Sequence, residues 1–405
     1  FKSLTLRQIK ALKHRVSVLF LFLFGVSGLE KFWVMFLTAI LTALVNLRIY
    51  IEILKIITQR KDGYDIINAR NWGMRRMKMD WLLCNQDVPI LEFSSHEDEY
   101  GEILVQEKVW LSDLHPIGYL DLQSFLEGRR APKHRKHIEQ LLEQYGCRQL
   151  DGFLQVSHAL SLNDTFWVKE AGSDLRWADV SLYDNDFDEI IAEAALNGSL
   201  SGSDLSSTSP EFGTDGYYAK CWKREHDGIF LYKAGSATYE LEPLSEFLAA
   251  QLSGVLCHAA VPYEMRFHHG RLVSVCPLFT SVRIGMAKAS AVVGKDRTIA
   301  GLLRYFESIG SGDAFRRMLV LDAVIFNVDR HLGNFGVLFD TSNMKLHGMA
   351  PVFDHNRSLL FDLDADQLDH AERYLAHLAP RLGTDFVTVA KGLMTDEIRS
   401  DLRNL

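Results

Sequence analysis

Asp329, Asn334 and Asp354 fall within one stretch, 319–360, which reads LVLDAVIFNVDRHLGNFGVLFDTSNMKLHGMAPVFDHNRSLL. An apolar run leads into Asn327-Val328-Asp329-Arg330-His331-Leu332-Gly333-Asn334. A strand-like piece over 335–339, a turn over 341–343 and a second strand-like run ending at Asp354 follow. Asp, Asn and Gly after a helix are ordinary turn residues. Here, though, an acid and an amide open a hairpin and a second acid closes it. Four residues between the acid and the amide is the spacing of a phosphoryl-transfer loop. There one carboxylate receives the proton of the attacking hydroxyl, and an Asn and another Asp hold Mg²⁺ against nucleotide phosphates. Mg²⁺ takes few protein oxygens and leaves the rest to water and phosphate, so Asn334 and Asp354 suffice as the metal pair.

The run N-V-D-R-H-L-G-N-F with a downstream A-P-V-F-D resembles the HipA-type serine/threonine kinases. That family has the order D-R-H, as this chain does, where ordinary protein kinases have H-R-D. A second segment, L-S-L-N-D-T-F-W-V over 160–168, resembles the link between N-terminal module and kinase core in a HipA-like subgroup, so the likeness covers roughly 79–360. It implies Asp329 as catalytic base, Asn334 and Asp354 as Mg²⁺ ligands, and ATP as phosphate donor to a Ser or Thr hydroxyl of a protein. In the toxin branch of that family a small DNA-binding antitoxin accompanies the kinase, so an antitoxin-like partner belongs to the expectation.

Other elements must position these groups. A helix over 313–326, with Phe315, Met318, Leu319, Leu321, Val324 and Ile325 as its buried face, delivers Asp329. The alternating stretch 228–234, GIFLYKA, reads as a strand carrying Lys233, the residue placed to contact the α and β phosphates. A helix over 243–256, with Pro243 at its start, supplies the glutamate that holds that lysine. Glu242 and Glu246 both qualify, and Glu246 is preferred because S-E-F-L matches the family's helix. Thr214, Gly216 and Lys220 lie where a phosphate loop belongs, although Gly213 and Gly216 do not make a full G-x-G-x-x-G. Pro277 and Phe279 fall in the expected linker between lobes, 275–279, whose backbone reads the adenine edge. Arg330 or His331 braces the loop. The Gly/Ser-rich run 198–209 reads as a mobile loop; by position and resemblance it is also a candidate for autophosphorylation within 199–209.

Composition sets outer bounds. The chain has 405 residues, 47% hydrophobic and 24% charged, which suits more than one domain with a sizeable core. A net charge of −8 gives no global basic surplus for direct nucleic-acid binding. The five cysteines are scattered without a C-x-x-C, which points to a reducing, cytoplasmic setting and away from a zinc site. His268-His269 is assigned to local structure.

The expected division is an apolar extension over 1–78, an N-terminal α+β module over 79–165, a kinase small lobe over 166–276 and a helical large lobe over 277–405. The class is therefore α+β: a two-lobed protein-kinase-like fold of the HipA type. In the module, strands are expected at 81–83, 88–93 and 107–110 and a helix at 134–145. Further helices are expected at 301–310, 370–382 and 386–405. The apolar runs 16–29 and 32–47 are each shorter than the roughly 20 residues of one membrane span. Three readings of residues 1–76 stay open: upstream sequence outside the working protein, a membrane anchor through 16–47, or a buried helical pair. Two functional alternatives stand beside the protein kinase. One is an inactive kinase relic that serves as a binding module. The other is a kinase whose acceptor is a small molecule.

Overall fold

The computed structural model describes residues 79–132, 135, 137–198, 209–236, 238, 240–359, 361–362, 371–375 and 377–403. The expectations for residues 1–78 and for serines 199–208 lie outside these. Among the described residues no helix is long and apolar enough to cross a membrane.

Three antiparallel sheets organise the described chain. The first has the order β3-β2-β1-β4, from β1 (Met79–Asn85), β2 (Val88–Glu97), β3 (Ile103–Trp110) and β4 (Phe166–Glu170). The sheet therefore spans the 165/166 boundary expected from the sequence. Its inner face, with Trp81, Leu83, Phe93 and Phe166, packs against α1 (Leu122–Glu127), α2 (Ile138–Gln144) and α3 (Leu150–Ser157). The helix expected over 134–145 begins only at Ile138, because His137 before it takes a left-handed backbone, φ 68°.

The short helices α4 (Trp177–Val180) and α5 (Glu189–Asn197) lead toward the second sheet. It has the order β5-β6-β8-β7, built from β5 (Lys220–Glu225), β6 (Gly228–Ala234), β7 (Glu264–His268) and β8 (Arg271–Pro277). Pleating sends alternate β6 residues to opposite faces. Tyr232 packs with Ala192 and Leu196 of α5, while Leu231 joins the cluster beneath α6 (Glu242–Leu256). The inner side of α6 is small, with Ala249 and Ser253 fully buried, so the helix approaches its neighbours closely.

The third sheet, β11-β10-β9, comprises β9 (Ile284–Lys288), β10 (Gly336–Asp340) and β11 (Leu346–Met349). The β10–β11 hairpin was expected; β9 was not. Around it lie α7 (Ala289–Val292), α8 (Ile299–Ser308), α9 (Gly312–Val324), α11 (Phe386–Leu393) and α12 (Asp396–Arg403), with a short helix, α10 (Ala371–Leu375), before α11 in the chain. Phe306 of α8 stacks on Phe315 of α9 at 5.0 Å between centroids, and Phe335 closes the trio. Val324, expected in the buried face of α9, is instead 41% exposed, and the helix ends there. The C-terminal helix expected over 386–405 is broken after Leu393, where Met394 turns extended.

The segment 160–168 ties these parts together. Asp164 receives both terminal nitrogens of Arg129, at 2.7 and 2.9 Å, and the Arg129 Nε donates to the Ala159 carbonyl. Thr165 donates to Asn85, whose amide donates onward to the Thr341 carbonyl. Asn163 O accepts from Met286 N of β9 at 2.7 Å. The Asp164 and Arg129 side chains are only 14% and 7% exposed, and removing one partner of such a pair strands the other charge. Asp164→Ala is expected to cost about 3–5 kcal/mol of stability, read as a lowered urea midpoint. A midpoint within experimental error of the parent would refute this.

Candidate active site

The loop after α9 is built around one arginine. Arg330 is 1% exposed, and a guanidinium has five N–H donors in a fixed fork. Nε and Nη2 grip the two oxygens of Asp322 at 2.9 and 3.0 Å. Nη1 donates to the carbonyls of Asn334 and Phe353, and Nη2 also meets His355 Nδ1 at 3.2 Å. Asp322 and Arg330 thus join the helix end, the loop and the segment after β11 that leads to Asp354; the strand-like run expected to end at Asp354 ends as β11 at Met349. His355 must accept there through Nδ1; burial, reinforced by Arg330, holds its pKa well below the ordinary range and keeps it neutral. The brace expected of Arg330 or His331 is supplied by Arg330. His331 makes a local turn, with Nδ1 accepting from Gly333 N at 3.0 Å.

Asn334 donates its Nδ2 to the Asp329 carbonyl at 3.1 Å. Its carboxamide oxygen is left as the group able to meet a cation. Asp354 sits at φ 61°, a left-handed backbone that costs a non-glycine residue energy and is held there by its surroundings. One of its oxygens, Oδ1, accepts from Lys233 Nζ at 2.7 Å. Among the described residues Oδ2 makes no hydrogen bond. A carboxylate and an oriented amide oxygen form a hard donor set that fits Mg²⁺.

Lys233 is buried between two carboxylates. Its ammonium lies 2.5 Å from Glu246 Oε1 and 2.7 Å from Asp354 Oδ1, and Ser274 satisfies Glu246 Oε2 at 2.6 Å. Burial lowers the pKa of Lys233, but Asp354 and Glu246 outweigh it and raise the pKa above normal. Burial likewise raises that of Asp354, but Lys233, Lys220 and Arg330 together hold it well below the carboxylate range. Of the two candidate glutamates it is Glu246 that meets the lysine. Glu242 instead accepts from Ser236 N at 3.0 Å.

Lys233, Asp329, Asn334 and Asp354 line one cleft of about 690 Å³, a size usual for small-molecule sites. Thr214, Gly216, Lys220, Pro277 and Phe279 also line it. Thr214 has its hydroxyl engaged, donating to Pro210 O and accepting from Trp222 Nε1, so it shapes the wall. Gly216, at φ +97°, lies against the Lys220 ammonium, and a Cβ there would collide with it. Phe279 packs its ring against Phe353, 5.6 Å between centroids, at the apolar end with Leu231, Val261 and Cys276.

Lys220 pairs directly across from Lys233 in the β5–β6 ladder, and like charges opposite one another destabilise a sheet. Lys233 has carboxylates; Lys220 makes no ion pair with a described residue, and burial, with Lys233 next, pushes it down to about 8.

Sequence reasoning missed Asp322, His355, Ser274, Tyr263, Arg357 and Arg381. Tyr263 accepts from Asp354 N at 3.3 Å and places its ring 5.7 Å from the Lys233 ammonium. None of these carries a motif signal, because each acts through a contact distant in sequence. A separate group, Glu193 with His268 and His269, has metal-like spacing. Its carboxylate is already taken up by Lys223 at 2.5 Å, His268 at 2.7 Å and Asn197 at 2.7 Å, so it reads as a structural junction between α5 and the β7–β8 turn.

No protein-family model matches the sequence, and no curated protein does. Among solved structures, 23 chains match. A Helicobacter pylori proinflammatory kinase, CtkA, is 17% identical over 46% of this chain and 81% of its own, with a TM-score of 0.38. HipA from Shewanella oneidensis MR-1, solved with HipB and operator DNA, is 10% identical over 80% of this chain and 94% of its own, with a TM-score of 0.41. At these levels neither similarity assigns a function.

A phosphate-bearing ligand beside Lys220 restores its charge. With Lys220 pushed down to about 8, an anionic probe such as Mg-ADP that binds beside it should draw in a fraction of a proton near that pH, falling toward none at lower pH. Affinity should weaken as pH rises through 8. Calorimetry in buffers of different ionisation enthalpy measures the uptake. Lys220→Met should abolish it, and an unchanged uptake in that variant would remove Lys220 from the ligand's surroundings.

Proposed function

We propose that the protein is an ATP- and Mg²⁺-dependent kinase that transfers the γ-phosphoryl group to a Ser or Thr hydroxyl of a protein. The observation that carries this reading is the convergence of Lys233, Asp329, Asn334 and Asp354 on one cleft, with Glu246 buried behind Lys233, from elements far apart in sequence.

In this reading the apolar end of the cleft, near Pro277 and Phe279, holds the adenine, and Lys220 and Lys233 meet the phosphates. Glu246 keeps Lys233 extended into the cleft. Asn334 and Asp354 would hold Mg²⁺, which when bound neutralises phosphate charge. Asp329 aligns the acceptor hydroxyl and takes its proton. The acceptor oxygen forms a bond to the γ-phosphorus, the bond from that phosphorus to the β-bridging oxygen breaks, and its electron pair leaves with ADP.

Autophosphorylation within 199–209 and an antitoxin-like partner belong to the same reading. They rest on the sequence resemblance and on the position of the serines before the phosphate loop.

The test is incubation of the purified protein with labelled ATP and Mg²⁺, followed by phosphosite mapping by mass spectrometry. Asp329→Ala should abolish transfer while Mg-ATP affinity changes less than about threefold, because the base serves the acceptor. Asp354→Ala should weaken Mg-ATP binding as well. Transfer at the parent rate by Asp329→Ala would end the assignment of the base. Mg-ATP binding with no transfer to any serine or threonine would favour a binding module.

A further inference from the structure

Two arginines crowd the carboxylate read above as the base. Arg381 Nε lies 3.0 Å from Asp329 Oδ1, and Arg357 Nη1 lies 3.7 Å from the same oxygen. Neither approach is aligned as a hydrogen bond, for Asp329 Oδ1 has no hydrogen-bond partner, and neither has Arg357 Nε. These are ion pairs at close range without the directional bonds that would lock them.

The other cations of the cleft are committed elsewhere or lie deeper. Arg330 spends all five donors on the loop. Lys233 is held by Glu246 and Asp354, and Lys288 by Asp215. Exposure orders the groups by depth. The Lys233 side chain is 6% exposed, Asp354 24% and Asp329 20%, whereas Arg357 is 34% and Arg381 56%. The arginines are the more exposed partners of Asp329, and Lys233 is the more buried cation. Two guanidiniums against one carboxylate leave a surplus positive charge there. That surplus is available to an anionic group that enters the cleft beside Asp329.

We infer that Arg357 and Arg381 form a phosphoryl clamp that turns from Asp329 to the oxygens of the group being transferred. This rests on the nucleotide reading of the cleft. The guanidinium fork suits phosphate oxygens as well as carboxylate. Proton and charge balance: the acceptor's proton goes to Asp329, the phosphoryl group passes to the acceptor oxygen, and the arginines exchange a neutralised carboxyl for the phosphoryl oxygens. Neither arginine is needed to bind ADP, which lacks that group.

Equilibrium binding separates this from a merely structural role. The full chain and the variants Arg381→Ala, Arg357→Ala and the double substitution are titrated with Mg-ADP and with a Mg-bound, non-hydrolysable ATP analogue. The parent should bind the analogue more tightly than ADP. The double variant should lose that margin by about tenfold, as expected for a charge-assisted phosphate contact, with ADP affinity held within about twofold. Arg381→Lys should restore part of it. Arg381 is exposed, so its single variant tests the idea even if Arg357→Ala compromises folding. If ADP binds but the margin is the same in parent and double variant, the clamp is wrong and the nucleotide reading stands. If neither nucleotide binds the parent, the nucleotide reading falls and the clamp with it. If the variants transfer phosphate faster with an unchanged margin, the arginines only mask the base.

Discussion

The ammonium of Lys233, caught between Glu246 and Asp354, is the contact on which the arrangement of the cleft depends. It joins three elements that share no local sequence: β6, α6 and the turn after the β10–β11 hairpin. Burying these charges is expensive, and attraction offsets the cost only where the remaining lone pairs are satisfied. Ser274 does this for Glu246, and Tyr263 for the backbone of Asp354. The small inner face of α6 lets Glu246 reach the lysine, and Ser245 bonds to the Ser358 carbonyl at 2.6 Å, tying the helix to the chain just beyond Asp354. Movement of α6 away from the sheet would part Glu246 from Lys233 and break the Ser245–Ser358 link, leaving Lys233 paired with Asp354 alone.

Arg330 plays the matching part on the other wall. With Asp322 it forms a bidentate pair that is almost wholly buried, side chains 1% and 4% exposed. Such a pair adds little stability over a well-packed apolar substitute. Its value here is geometric. Five donors reach two carboxylate oxygens, two carbonyls and a neutral histidine, and so fix Asp329, Asn334 and Asp354 relative to one another. A lysine at this position would keep the charge and lose the fork.

Much of this was legible in sequence where a short local pattern dictates structure. The strand Gly228–Ala234 and the helix Glu242–Leu256 follow from periodicity and a proline at a helix start, while the choice of Glu246 over Glu242 as the partner of Lys233 came from the family resemblance of S-E-F-L. The hairpin that presents Asp354 was readable from its alternation and turn. What escaped was set at long range. β9 is five residues, Ile284–Lys288, and is a strand because β10 pairs with it and Asn163 accepts from Met286. β4 carries a readable F-W-V run, but only its pairing with β1 shows which sheet it completes. Asp322 looks like a solvated helix residue until Arg330 folds back on it. Arg357 and Arg381 have no pattern at all, since their proximity to Asp329 is created by folding.

The distribution of local costs is itself informative. Elsewhere some buried charges are fully satisfied, as where Asp164 and Arg129 bond to one another and to the neighbouring backbone. Inside it, several unfavourable features accumulate. Two lysines face each other across a ladder, one of them in no direct ion pair with a described residue; an aspartate adopts a left-handed backbone; and a carboxylate is approached by two cations that do not bond to it squarely. Natural sequences keep local preference and global fold in agreement, and departures concentrate where function demands them. Two of these features concern charge alone. Under the proposed function, a polyanion accompanied by a divalent cation would neutralise Lys220 and meet the open oxygen of Asp354, while the left-handed backbone of Asp354 would remain a cost of the fold.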